Sequence, residues 1–267
     1  MKIGAVTDEI FAADLEKSLA VATELGIENF ELRRLWNKRV PLLTEKEISR
    51  LEGLISKYQV KITALSPGIF KIPLSSPELA FHKGELLART IELGKRLAVK
   101  RIIIFGIKRE KRDQPKLLTE VIQQIRDITE QAREEGFEIL LENEPGWWAD
   151  TAEHTRQIIT GVNLSNFRLN WDPGNLVCTG QSPYPEGYQI VKDYVGNVHF
   201  KDALFCPDNC EWKPAGQGEV NWSGQIRALK DIGYQGMITI ETHCPPLLDN
   251  FRLNYLFLKN LLNSVSD

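Results

Sequence analysis

Residues 134–145 read Glu-Glu-Gly-Phe-Glu-Ile-Leu-Leu-Glu-Asn-Glu-Pro, and this stretch holds one complete structural phrase. Gly136 suits the left-handed residue that closes a helix. Phe137–Glu142 has the length and apolar density of a buried parallel strand. Glu142 then sets a carboxylate where that strand gives way to a loop. The phrase recurs: Leu25-Gly26-Ile27 and Ile232-Gly233-Tyr234 also put glycine just before a strand. The intervals between the three glycines are 110 and 97 residues, each room for three strand–helix units.

Working outward, seven more short apolar runs read as strands: Lys2–Val6, Asn29–Leu32, Lys61–Leu65, Arg101–Phe105, Phe167–Trp171, Asn197–Phe200 and Met237–Glu241. Segments of helical period lie between them. In Asp14–Leu25 the residues Leu15, Leu19, Ala22 and Leu25 share one face, the spacing of a helix laid on a sheet. Thr44 with Glu47 forms a capping box, Ser76 before Pro77 predicts a cap with proline at the first helical position, and Asp150 with Glu153 predicts a further start. Eight strand–helix units in 267 residues, with no linker among them, predict an α/β fold: a single (β/α)8 TIM barrel domain spanning residues 1–267. An open doubly wound sheet would carry a glycine-rich phosphate loop after its first strand, but Val6 is followed by Thr7, Asp8 and Glu9.

With 33 Lys+Arg against 36 Asp+Glu, the net charge of −3 gives no global attraction for nucleic acid or anionic membranes. The longest apolar run, Ile102–Phe105, is far short of a spanning helix, and MKIGAVTDEI enters a strand without a signal-peptide core. A cytoplasmic protein is expected. The four cysteines, Cys178, Cys206, Cys210 and Cys244, match no common zinc spacing and are read as free thiols.

In a barrel of this kind the chemistry sits at the C-terminal ends of the strands. Four late strands end in metal-ligand side chains: Glu142 in LLENEP, Asp172 in NWDPGN, His199 in VHFKD and Glu241 in ITIETH. They step by 30, 27 and 42 residues, about one unit each, around one rim. Strand alternation puts Leu140, Asn170, Asn197 and Thr239 on the same face as these four, and turns Leu141, Trp171, Phe200 and Ile240 toward the helices. Three carboxylates and one imidazole suit a single divalent cation, Mn2+ first, with Mg2+, Co2+ or Zn2+ as alternatives. Four unrelated strand ends, each salt-bridged locally, are the rival explanation.

LLENEP, DPGN, HFKD, GQGEVNW (216–222) and GYQGMITIE (233–241), taken together, resemble the xylose isomerase-like barrels, specifically the sugar phosphate isomerase/epimerase group. The resemblance implies that Glu142, Asp172, His199 and Glu241 bind the metal, that Glu142 and Glu241 also exchange the substrate proton, and that Glu31 at the second strand's end contributes to the substrate pocket. The substrate it implies is a small carbohydrate, free or phosphorylated. The chemistry such a site performs is proton abstraction next to a carbonyl, with the charge on the resulting enediolate stabilised by the cation. A metal-bound carboxylate is a weakened base, so Glu31, Lys201 and His243 are alternative proton carriers.

Further candidates each have a plain structural alternative. Asn175 either meets substrate or serves the turn after Pro173-Gly174. Lys201 either neutralises an alkoxide or pairs locally, and Asp202 is expected to orient His199. Trp36, Trp147, Trp148 and Trp212 fall in predicted rim loops, where an indole stacks on a sugar face or forms a lid or a contact between copies of a homo-oligomer. Lys108, Arg109, Lys111 and Arg112 are either a phosphate site or a solvated loop.

Rival functions share the architecture. A dehydratase of inosose or 3-dehydroshikimate begins with the same proton abstraction. Apurinic endonucleases need additional His and Asp ligands, but the third and fourth strand ends here read SPG and FGI, and Asn175 stands where a further His is expected. Asn175 and Phe205 also replace the extra His and Arg of ketose 3-epimerases, which counts against free-ketose epimerisation. A barrel that only binds a ligand is the non-enzymatic alternative.

Overall fold

The computed structural model describes residues 1–207 and 209–265. Eight parallel strands close into a barrel in chain order, β1 (Lys2–Val6), β2 (Asn29–Leu32), β3 (Lys61–Leu65), β4 (Arg101–Phe105), β5 (Glu138–Glu142), β6 (Phe167–Trp171), β7 (Val195–Phe200) and β8 (Met237–Ile240), with β8 returning to β1. The expected boundaries shift slightly at three strands. β5 begins at Glu138, β7 begins two residues earlier than Asn197, and β8 stops one residue before Glu241. Gly26, Gly136 and Gly233 all take left-handed φ, at 87°, 74° and 70°. Each follows a helix that a side chain bearing Cβ would leave less easily.

Of the predicted helix starts, the Thr44–Glu47 capping box is present in full. The other two differ. Thr151 caps its helix by accepting from His154 N–H, because Asp150 is engaged by the His154 ring at 2.7 Å. After Ser76-Pro77 the chain makes a turn, with Ser76 Oγ accepting from Glu78 N–H, and regular helix begins only at Leu79.

Alternation sorts the strand residues as predicted. Leu141, Trp171, Phe200 and Ile240 belong to the core between barrel and helices, while Leu140 packs with Ala64 and Ile103 in a separate cluster. The indole N–H groups of Trp171 and Trp222 donate to Gln225 Oε1 and the Lys201 carbonyl, so both are structural anchors. Asn170, Asn197 and Thr239 are buried polar residues directly beneath the ligand-bearing strand ends.

Two antiparallel hairpins sit outside the barrel order, Arg34–Leu35 with Lys38–Arg39 and Asp202–Cys206 with Asn209–Lys213. The second carries a correction: Cys178 and Cys210 are a disulfide, with Cα atoms 5.2 Å apart, and only Cys206 and Cys244 are free. A separation of 32 residues gives no hint of this pairing. It arises because the hairpin after β7 folds back over the short helix Pro173–Val177. Among the described residues no helix is long and apolar enough to cross a membrane.

Candidate metal centre

Glu142, Asp172, His199 and Glu241 are all buried and present ligand atoms within 4.8 Å of one another. Each is held there by its neighbours. Asp172 caps the helix Pro173–Val177 by accepting from Asn175 N–H at 2.8 Å, with Pro173 at the first helical position. Asn143 fixes the same aspartate's backbone, donating to its carbonyl at 2.8 Å and accepting from its N–H at 2.9 Å. Gly174 leaves room for the Lys201 stem, since a Cβ there would lie 2.8 Å from Lys201 Cγ.

His199 is oriented from the opposite wall of the barrel. Its Nε2 lies 2.8 Å from Glu31 Oε2, while Nδ1 lies 3.2 Å from Glu241, 3.7 Å from Glu142 and 3.7 Å from Asp172. Glu31 Oε1 in turn accepts from Asn197 Nδ2 at 2.8 Å and Thr239 Oγ1 at 2.6 Å. The carboxylate therefore assigns the proton to Nε2 when the ring is neutral and frees Nδ1 as a ligand. Asp202, expected in that role, instead receives the backbone N–H groups of Ala203, Gly216, Gly218 and Val220 and anchors the loop before the helix at Trp222.

Cations press on the cluster from two sides. Lys201 Nζ sits 2.8 Å from Asp172 Oδ2 and 2.7 Å from Glu241 Oε2. Arg33 spans Asp8 at 3.0 Å, Glu241 at 2.8 Å and Glu9. Burial would raise the Glu241 pKa, but Lys201, His243 and His199 outweigh it and hold the carboxyl well below its usual range. Burial likewise opposes a charge on His199, yet the fields of Glu241, Glu31 and Glu142 raise its pKa well above the usual value. Glu142 is bonded by two neutral amides, Asn170 at 3.2 Å and Asn175 at 3.3 Å.

The donor set fits a divalent cation. Three carboxylates and one imidazole nitrogen converge on a point, and Asp172 Oδ2, though ion-paired with Lys201, is buried there without a hydrogen-bond partner. Lys201 and Arg33 offset the charge at Asp172 and Glu241 but leave Glu142 hydrogen-bonded by neutral amides, so a cation at the centre would relieve what remains.

A cavity of about 470 Å³ opens from this cluster. Glu31, Glu142, Asn175, His199, Lys201 and Glu241 line it, as does His243, whose backbone N–H donates to Glu9 at 2.7 Å. Trp36 and Trp148 do not. Trp148 is buried beneath the Arg109 guanidinium at 4.2 Å, and Trp36 stacks under Arg50 of the helix Glu45–Tyr58 at 4.9 Å. Trp212 of the second hairpin does line the cavity. The basic run stays outside it, with Arg109 paired to Asp150 at 3.6 Å.

Three charged lining residues escaped the sequence reading: Arg33, Lys71 and Glu144. Arg33 was legible in one respect, since alternation puts it on the same face as Glu31. Lys71 follows no strand directly, and its contacts, Glu144 at 3.0 Å and the Phe105 ring at 3.9 Å, bring three separate units together.

The sequence pattern of the family described as xylose isomerase-like TIM barrel matches residues 19–261. Among solved structures, the probable 3-DHS dehydratase AsbF of Bacillus anthracis, described as involved in petrobactin synthesis, superposes with a TM-score of 0.80 at 20% identity, covering 97% of this chain and 99% of that one. The IOLI protein with a bound zinc atom gives 0.82 at 17% identity and 99% of both chains. An L-ribulose 3-epimerase gives 0.78 at 18% identity, covering 100% of this chain and 96% of that one. At these identities the likeness is one of fold. An uncharacterized protein of Methanocaldococcus jannaschii is 30% identical over 119 residues, which is 43% of this chain and 40% of that protein.

Proposed function

The chain belongs to the xylose isomerase-like TIM barrel family, and on that footing we propose that it is a divalent-metal-dependent isomerase or epimerase of a small carbohydrate. The observation that carries this reading is the convergence of Glu142, Asp172, His199 and Glu241, three of which line a cavity, with His199 turned by Glu31 to offer Nδ1. These four residues would hold the ion, with Mn2+ the first choice and Mg2+, Co2+ or Zn2+ alternatives. When bound, the ion supplies Lewis-acid polarisation of a carbonyl and its neighbouring hydroxyl.

The chain's own groups then move the proton. Glu142, bonded by neutral amides, takes the proton from the carbon beside the carbonyl. Glu241, in contact with the Lys201 ammonium, takes up a proton from water in the cavity and delivers it to the neighbouring carbon or to the opposite face, while Glu142 gives its proton back to water. Asn175 and His243, on the cavity wall, are placed to bind substrate hydroxyls. Structural relatives that include a sugar epimerase support the carbohydrate class.

A second reading has its own observation. Lys201 is an ammonium buried inside the site, an acid placed to protonate a departing β-hydroxyl, as a dehydratase of the same fold requires. Both readings begin with proton abstraction. Solvent deuterium exchange into ketoses, ketose phosphates and inososes, with Mn2+ present, should therefore fall about 10²–10⁴-fold in Glu142→Gln and in Glu241→Gln. Undiminished exchange in both variants overturns the assignment.

A further inference from the structure

We propose that Glu144 and Lys71 form a charge filter that commits the cavity to uncharged polyhydroxy ketones and turns away their phosphate esters. This deepens the proton-transfer function proposed above and names its substrate class.

Besides His199 in the cluster, four basic side chains line the cavity, Arg33, Lys71, Lys201 and His243, the last with Nδ1 turned to Glu9 at 3.1 Å. A phosphate dianion needs at least one of them, since tight anion sites are built from Arg, Lys or open helix N-termini. Arg33 is held by Asp8, Glu9 and Glu241, and Lys201 by Asp172 and Glu241. Both serve the metal-ligand carboxylates. The helix nearest the centre begins at Pro173, and its free Asn175 N–H is already capped by Asp172.

Lys71 is the most accessible of the four, with His243 at 27% exposure next to it in rank. Its side chain is 32% exposed, against 19% for Arg33 and 2% for Lys201. It lies over the Phe105 ring at 3.9 Å and 5.5 Å from the Trp147 ring, on the cavity wall. What keeps it from an anion is Glu144, whose Oε1 takes the ammonium at 3.0 Å. Glu144 itself lines the cavity, so an incoming phosphate meets a carboxylate beside the most accessible of these basic groups.

The rest of the lining suits a neutral polyol. Ser66, Asn175 and Asn209 offer uncharged donors and acceptors, the carboxylates accept from hydroxyls, and Phe105, Phe205 and Trp212 offer flat apolar surface to sugar C–H faces. The basic run that the sequence offered as a phosphate site lies outside the cavity.

The test uses the full chain loaded with one equivalent of Mn2+ and compares matched pairs, each a free ketose or keto-cyclitol and its phosphate ester, by calorimetric binding and by deuterium exchange. Wild type should bind the free compound at least ten-fold more tightly than its ester. Glu144→Gln should cut that preference about ten-fold by gaining affinity for the ester, and Glu144→Gln with Lys71→Met should restore it. Thermal melts establish that both variants are folded. An ester preferred by wild type, or a preference unmoved in folded Glu144→Gln, overturns the filter. The expected binding pattern with no exchange on any compound overturns the proton-transfer function instead and leaves the filter standing.

Discussion

Replacing Glu31 by Gln changes one oxygen to an amide nitrogen at the point where His199 is oriented. Glu31 accepts three hydrogen bonds, from Asn197, Thr239 and His199, and gives none. Gln can match only part of this. If its oxygen faces Asn197 and Thr239, its amide N–H faces His199 Nε2, which must then accept; the imidazole proton moves to Nδ1, the nitrogen 3.2–3.7 Å from the three carboxylates. That tautomer cannot ligate. If the amide is flipped, donors face donors and two bonds worth about 1 kcal/mol each are lost. The first arrangement keeps both of those bonds and is therefore favoured, and through it metal affinity should fall about 10–100-fold, equivalent to about 1.4–2.8 kcal/mol. Calorimetric titration of Mn2+ into wild type and Glu31→Gln at fixed pH measures this directly. Affinities within two-fold of each other would refute the role given to Glu31.

Other expectations concern the frame around the site. Reducing Cys178–Cys210, which closes a 32-residue separation, should cost about 3–4 kcal/mol of stability by loss of chain constraint. Alkylation of the native chain should label exposed Cys206 and spare buried Cys244, whose thiol burial pushes up to about 11; label on Cys178 or Cys210 contradicts the pairing. Burial works against ionised Glu9, but His243 and Arg33 outweigh it and set its pKa to about 2 against an ordinary 4.5. Its stabilising contribution is thus complete above about pH 4.5 and lost as pH falls toward 2, so Glu9→Gln should flatten acid unfolding in that window; an unchanged acid profile contradicts this. Trp148→Ala should cost about 3–5 kcal/mol yet leave metal uptake intact, and lost uptake would return Trp148 to the site.

The strands, their alternation and the meeting of Glu142, Asp172, His199 and Glu241 at one rim were legible because each depends on local periodicity plus one rule about where barrels place chemistry. Leu140, Asn170, Asn197 and Thr239 fell on the ligand face for the same reason. What joined units far apart in sequence was not legible. Glu31 reaches His199 across 168 positions, and Arg33 reaches Glu241 across 208. The hairpin at Asp202–Lys213 was missed as an element, and with it went the disulfide and the true partners of Asp202. Adjacency to His199 suggested that Asp202 would serve the imidazole; successive strand residues point to opposite faces, so Asp202 meets the loop at Gly216–Val220 instead.

Metal content per chain tests the central claim most directly. Dialysis against Mn2+ followed by elemental analysis should find one ion per wild-type chain and less than about a tenth of that in Glu142→Gln with Glu241→Gln, a variant whose fold is checked by its metal-free melt. Wild type that retains no metal, or a folded double variant that retains a full equivalent, would contradict the assignment of Glu142, Asp172, His199 and Glu241 as a metal centre.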